Sequence, residues 1–453
     1  INIWAKYQLY ICNLWSRSSS FYHEGQGGYG YRDSCQDGEA IVSLDPLYVK
    51  EKIRKIASLT RRDGTVAPGW SKIYGPYQNK PFKDHPTWLT SIVSAYIKET
   101  GDFSILNEQI PYLKDRWING GTEIDVNWKG GAAVDGEGTL FEHLLTQLNF
   151  TYNDVSVHGL PRVGEADWND ALDMAGRRQI GESVWLAMAL IRSLKLLAEI
   201  AERINKNDIA IDLREKAEKM AERINEHGWD SQGEWYIGGY NDDLIPFGSS
   251  KNAQGKIFLN SQSWAILSGI ANPERLKKIL GSVEKYLNGK HGLALLSPAY
   301  SVFDPGLGRI GMFSKGAKEN AAIFCHAVNF MVAAYCKVGM GGRAYEALSK
   351  ITPNKQKDIE LYKTEPYAFA EYIIGPEHPY AYGEGAFTWL TGTAGWAFLN
   401  TTENILGVQR DFDGLRINPS LPGDWKRCRI VRPFRGDTYD ITIENPEGVE
   451  HGI

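Results

Sequence analysis

The sequence predicts a mainly α protein, an (α/α)6 barrel over residues 1–407, followed at 408–453 by the start of a C-terminal β-domain. Three observations lead there. Apolar residues recur at helical spacing almost continuously to about residue 407. A polar, Gly-containing loop leads repeatedly into an apolar helix carrying an aromatic residue, at Trp88, Trp185, Trp264, Phe324 and Trp389. After Gly414 the pattern changes to two-residue alternation broken by Pro and Gly.

Taken in order, residues 1–15 read as an amphipathic segment with Ile1, Trp4, Tyr7, Ile11 and Leu14 on one face. Residues 184–204 and 209–225 read as a helical hairpin: Ile209, Leu213, Ala217, Met220 and Ile224 recur at three- and four-residue steps. Asn205 to Asp208 supply a cap, and Gly228 follows the second helix. The five aromatic helix starts lie about 60 to 97 residues apart, too irregular for a solenoid. Each interval holds an inner helix, an outer helix and two loops, so the inner helices would surround one pocket. The tail alternates through Arg429, Ile430 and Val431 and again through residues 438–443. These few strands are too short a sheet to stand alone, and are expected to lean on the helical body.

Composition excludes several functions. Fifty Lys plus Arg against 55 Asp plus Glu give a net charge of −5, without the basic excess of a nucleic-acid binder. The apolar run at 184–197 is interrupted by Arg192, Ser193 and Lys195, so no membrane span is expected. The five cysteines (Cys12, Cys35, Cys325, Cys336, Cys428) are scattered without a CxxC pair, which fits free thiols in a reducing cytoplasm and no metal cluster. Residues 1–20 lack the charged-then-apolar block of a signal peptide. The first residue is not Met, and the chain is expected to be the catalytic core of a longer protein. The 14 Trp, 23 Tyr and 16 Phe, 12% of the chain, often neighbour Gly, Asp, Asn or Glu. Aromatics among polar groups suit sugar rings, which have apolar faces and hydroxylated rims.

Four stretches could carry chemistry. GGYGYRDSCQD (residues 27–37) combines three glycines with Arg32, Asp33 and Asp37, a set able to clamp hydroxyls or phosphate, or a Gly-rich turn with a surface ion pair. GEADWND (residues 164–170) gathers Glu165, Asp167 and Asp170 around Trp168. A carboxyl packed on an indole loses water, keeps its proton to higher pH and can act as a general acid. The alternative is that Asp167 or Asn169 caps a helix starting near Ala171. KGAKENAAIFCH (residues 315–326) brings Lys318, Glu319 and His326 to one helix entrance. Glu319 and His326 share a face if the helix starts near Glu319; a buried core histidine is the alternative. WLTGTAGW (residues 389–396) opens a helix with hydroxyls and small residues, which serves anion binding or plain capping by Thr391 or Thr393. Together they supply an acid, an anion site and aromatics, as phosphate acting on a glycoside requires.

On these motifs the sequence resembles the inverting β-glucoside phosphorylases grouped with cellobiose phosphorylase, glycoside hydrolase family 94. The resemblance rests on WSRSSSFYH (15–23), YGYRDSCQD, HGLP (158–161) with ADWND, GAKENAAIFCH, EPYAFAEYIIGP (365–376) and WLTGTAGW, in that order. It implies Asp170 as general acid, and Trp168, Arg32 and Asp37 around the donor sugar. Lys318 and Glu319 fall where the family binds the acceptor, and His326, Thr391, Gly392 and Arg17 where it binds phosphate. The implied substrates are a β-glucoside disaccharide or oligosaccharide and inorganic phosphate, with no cofactor and no metal. A homodimer is implied for the full-length protein, whose N-terminal β-sandwich lies outside this chain. GQGGYGYRD (25–33) lacks an arginine common in its Gly-rich lead, and residues 371–389 differ from strict cellobiose phosphorylases. The acceptor therefore stays open among cellobionic acid, laminaribiose and a β-1,2-linked glucan. Two other readings are a water-using α/α-barrel hydrolase with Glu165 or Asp167 as base, and a silent sugar-binding module.

Overall fold

The computed structural model describes residues 1–17, 28–71, 75–76, 82–118, 121–124, 126–127, 131–132 and 134–452; within 115–132 it describes the backbone alone. Most of WSRSSSFYH and the first residues of GQGGYGYRD lie outside the described residues. The chain is mainly helical. Its principal helices are α1 (Trp4–Trp15), α2 (Tyr31–Ile41), α3 (Pro46–Ala57), α4 (Leu89–Thr100), α5 (Leu140–Asn153), α6 (Val184–Arg203), α7 (Asn207–His227), α8 (Leu259–Ser268), α9 (Pro273–Tyr286), α10 (Cys325–Lys337), α11 (Gly341–Ile351) and α12 (Thr393–Leu399).

Among the described residues, the even-numbered helices touch in a closed circuit, α2 to α4, α6, α8, α10, α12 and back to α2. The odd-numbered helices pack outside it: α1 on α2 and α12, α3 on α2 and α4, α5 and α7 on α6, α9 on α8, and α11 on α10. Burial follows this placement. In α10 every residue from Cys325 to Cys336 is buried, whereas α7 buries a single stripe, Ala210, Leu213, Ala217, Met220 and Ile224. A helix apolar on all sides requires neighbours all round, and one with a stripe requires a single support.

Three local expectations are corrected. The N-cap position of α7 is Lys206, with no side-chain cap. Residues 165–179 form turns and bends, so no helix starts near Ala171. In α1 the buried face is Ala5, Gln8, Leu9, Cys12 and Asn13, opposite to the expected aromatic face. Polar anchors decide this orientation: Gln8 Nε2 donates to the carbonyls of Phe369 (2.9 Å) and Trp389 (3.0 Å), and Asn13 Nδ2 to that of Asp37 (3.1 Å).

Among the described residues, many of the aromatics are core. Trp88, Trp185 and Trp264 are at most 1% exposed and lie 5.1 to 6.3 Å apart, centroid to centroid, inside the circuit. Phe330 of α10 extends the cluster to Trp264, Trp168 and Trp396. Burying such side chains contributes about 1.5–3 kcal/mol each. The tail forms two antiparallel hairpins, Val408–Asp411 with Gly414–Ile417 and Arg427–Phe434 with Asp437–Glu444. The second leans on α4 through Arg432, which bonds Glu99 at 2.6 Å, and Arg435, which bonds the Lys98 carbonyl at 2.9 Å.

Candidate active site

A cavity of about 540 Å³ opens where α2, α10 and α12 begin and where the loop before α6 crosses them. Of the ten residues that the resemblance assigned to the site, eight line it: Arg17, Arg32, Trp168, Asp170, Glu319, His326, Thr391 and Gly392. Asp33, Asn169, Phe324, Glu371, Phe387 and Thr388 complete most of its wall.

Asp170 is held by its loop. Asp167 accepts from the amide of Asn169 (2.8 Å) and Asn169 from that of Ala171 (3.1 Å), two successive side-chain-to-backbone turns. Ser183 donates to Asp167 at 2.6 Å and Arg309 to the Asp170 carbonyl at 3.0 Å. Gly164, at φ +55°, starts the loop, and a Cβ there would lie 2.8 Å from Lys83 side-chain carbons. The Asp170 carboxylate accepts from Arg32 at 2.7 Å, and Arg32 also pairs with buried Asp84 at 3.2 Å. The Asp170 side chain is 32% accessible, through a cavity otherwise walled by protein. Burial raises its pKa, and the opposing pull of Arg32 does not cancel the effect. Trp168 sits edge-on to Phe324, His326 and Phe330 and is 6% exposed at the cavity. The surface ion pair considered for Arg32 is thus an ion pair inside a cavity wall.

Arg17, His326, Thr391 and Gly392 line the same cavity. Arg17 binds Asp37 through two nitrogens (2.8 and 3.3 Å) and reaches Asp33 at 3.4 Å. Asp37, 1% exposed, lies beneath Arg17 and holds it, away from the cavity lining. His326 lies against Gly392: a Cβ on residue 392 would come within 2.8 Å of the imidazole, so only glycine allows this approach. Burial, then the charges of Arg17 and Arg32, keep the His326 pKa well below its usual value. Thr391 directs its hydroxyl to Thr393, accepting the Thr393 amide at 3.1 Å.

Glu319 does not share a helical face with His326, because α10 begins only at Cys325 and residues 317–320 form a turn with Lys318 at φ +48°. The turn still brings Glu319 to the cavity. Burial, then the negative charges of Asp170 and Glu371, push its pKa up to about 7, and its Oε2 is buried without a partner among the described residues. Lys318 stands at the rim, its ammonium 4.8 Å from the ring centre of Phe387.

Sequence reasoning missed Glu371 and Asp84. Glu371 lies in Ala370–Ile373, the middle strand of a small antiparallel sheet between Ile323–Phe324 and Gly385–Thr388. Its neighbours Ala370 and Tyr372 are buried, and alternation turns Glu371 to the cavity. That alternation, inside EPYAFAEYIIGP, was the available signal. Asp84 had none, since its partner Arg32 is 52 residues distant in the chain. Among the described residues no group of three or more His, Cys, Asp or Glu is placed to hold a metal ion, and no helix is long and apolar enough to cross a membrane.

Three of the inner helices, α2, α10 and α12, thus begin at a cavity lined by Asp170, Arg17, Arg32 and His326. The family model "Glycosyl hydrolase 94 superfamily, catalytic domain" matches residues 1–407, and the chain belongs to that family. It is 37% identical to solabiose phosphorylase of Paenibacillus borealis, over 100% of this chain and 55% of that protein. It is 32% identical to N,N'-diacetylchitobiose phosphorylase of Vibrio furnissii, over 100% of this chain and 57% of that protein. The chain thus spans little more than half the length of these relatives. Among solved structures, a GH78 family rhamnosidase of Bacillus sp. GL1 superposes with a TM-score of 0.61, covering 97% of this chain and 39% of that one. At 15% identity it shares the fold alone.

Proposed function

We propose that this chain is the catalytic part of an inverting phosphorylase that cleaves a β-linked glucosyl disaccharide or oligosaccharide with inorganic phosphate, reversibly releasing α-glucose 1-phosphate and an acceptor sugar. The observation that carries this reading is one cavity lined by Asp170, a carboxyl of raised pKa, together with Arg17, His326 and Gly392. The phosphorylases among its relatives support it. The closed circuit of inner helices with outer partners is read as an (α/α)6 barrel, and the tail as the start of a β-domain.

In this mechanism Asp170 donates its proton to the glycosidic oxygen as the bond to the anomeric carbon breaks. A phosphate oxygen bonds to that carbon from the opposite face, through an oxocarbenium-like state. Phosphate is already anionic, so the second half of the machinery is charge stabilisation by Arg17 and hydrogen bonding at the neutral His326–Gly392 corner, with no base required. Trp168 and Arg32 border the donor sugar, with Asp37 acting through Arg17, and Lys318 and Glu319 border the acceptor. A water-using hydrolase would need a base, and the two considered do not line the cavity: Glu165 lies outside it, and Asp167 is buried on Ser183 and Asn169. No cofactor is assigned, and five unpaired cysteines, four of them buried, fit a cytoplasmic setting. The test is to incubate the full-length protein with candidate disaccharides with and without phosphate. We expect a sugar 1-phosphate only when phosphate is present; sugar release independent of phosphate overturns the reading.

A further inference from the structure

Hydrogen bonds at the back of the cavity determine where one proton resides. The indole Nε1–H of Trp396 can only donate, and it lies 2.7 Å from Gln36 Oε1, so this end of the amide is oxygen and accepts. The amide nitrogen faces the Arg32 carbonyl at 3.5 Å, one turn back in α2, consistent with that orientation. The same Gln36 oxygen lies 2.9 Å from His326 Nε2. An oxygen that only accepts requires Nε2 to carry a hydrogen. Burial, Arg17 and Arg32 oppose a second proton on the ring, so Nδ1 keeps its lone pair. Among the described residues Nδ1 has no hydrogen-bond partner. It lies on the ring edge beside Gly392, where a Cβ would stand 2.9 Å from it, and both residues line the cavity.

We propose that Gln36, braced by Trp396, is a positioning residue that locks His326 in its Nε2–H form, so that the anion corner accepts a hydrogen bond from a protonated tetrahedral oxyanion. This rests on the reading of the cavity as the place where phosphate is used. Near neutral pH inorganic phosphate and arsenate each retain a proton on at least one oxygen, and sulfate retains none. A P–OH donates to Nδ1 while its bare oxygens face Arg17. Sulfate can satisfy Arg17 and still sets an unprotonated oxygen against a lone pair. An unmade hydrogen bond in a desolvated corner weakens binding roughly ten- to a hundredfold. Gln36 thereby gives the anion corner a means of rejecting a fully ionised competitor.

The test uses the full-length protein labelled with ¹⁵N-histidine, with His326 assigned from the signal lost in His326→Gln. We expect a protonated Nε2 and an unprotonated Nδ1 at neutral pH. Calorimetry should give similar affinities for phosphate and arsenate, and at least about tenfold weaker binding of sulfate. In Gln36→Glu the carboxylate charges the imidazole and Nδ1 gains a hydrogen, so the preference for phosphate over sulfate falls about tenfold. Gln36→Met removes the acceptor and is expected to mix the two tautomers. A wild-type spectrum with hydrogen on Nδ1, or sulfate bound as tightly as phosphate, overturns the proposal. Phosphate-independent sugar release overturns the phosphorolysis reading instead, and the nitrogen spectrum still decides the tautomer.

Discussion

The helix circuit has a cavity at each end, and the larger one is not where the chemistry gathers. The far cavity, about 620 Å³, lies where α2, α8, α10 and α12 end, and is lined by Glu39, Arg192, Lys337, Glu403 and Arg410 among others. There the charges answer one another or the backbone. Arg192 pairs with Glu39 at 3.2 Å and Arg410 with Glu403 at 2.9 Å, while Lys337 and Lys195 donate to the carbonyls of Leu267 (2.6 Å) and Ser268 (2.8 Å) at the end of α8. At the near end the ionisable groups are left with work unfinished: Glu319 Oε2 and His326 Nδ1 have no partner among the described residues, and the Asp170, Glu319 and Glu371 pKa values are raised. Burial raises the Glu403 pKa at the far end as well, but Glu403 is paired with Arg410, so an acid left without a partner separates the candidate site from the far cavity better than volume or desolvation does.

This contrast can be tested from its strongest effect downward. Asp170→Asn should lower phosphorolysis by about 10²–10⁴-fold with an unchanged circular dichroism spectrum, because only the donated proton is lost. Activity within a fewfold of wild type would remove Asp170 as the acid. Gly392→Ala places a methyl against the imidazole and should raise the KM for phosphate by about tenfold or more, with a smaller change for the disaccharide. Equal losses for both substrates would point to general damage.

Glu319 makes the contrast measurable as stability. Its pKa rises from 4.5 to about 7 on folding. Between those values the folded protein retains a proton that the unfolded chain has released, so Glu319 lowers stability as pH rises through that window. Glu319→Gln should flatten that loss, reducing the fall in Tm between about pH 5 and pH 8; an unchanged pH profile would show that the carboxyl is not desolvated. The smallest effect belongs to the far end. Lys337→Met should leave turnover within about twofold and cost no more than about 1 kcal/mol by urea unfolding, as the residue is exposed and its ammonium bonds one carbonyl at a helix terminus.

The legibility of the site follows the range of its contacts. ADWND, GAKEN and WLTGTAGW could be found because each presents its chemistry within a few residues, and all three reach the cavity. Context decided what each segment did there. Asp167 and Asn169 suit a helix cap or a turn equally well by residue type, and bonds from Ser183 and Arg309, from elsewhere in the chain, select the turn. Asp37 has the same type and helix as Asp33, yet a position one turn later buries it under Arg17. The tryptophans suggested sugar platforms, but residue type could not distinguish a core indole such as Trp185, on an inner helix apolar on every side, from a wall indole such as Trp168, in the loop before it.

Helical periodicity, the strand-rich tail and the local acid and glycine motifs were therefore properties of the sequence itself, since each depends on side chains a few residues apart. Closure of the circuit, the pairing of Arg32 with Asp84 and Asp170, and the bond from His326 to Gln36 across 290 residues were decided only by the tertiary structure. The physical reason is that burial and long-range partners set the protonation of a carboxyl or an imidazole, and neither quantity is carried by a residue's type or by its neighbours in the chain.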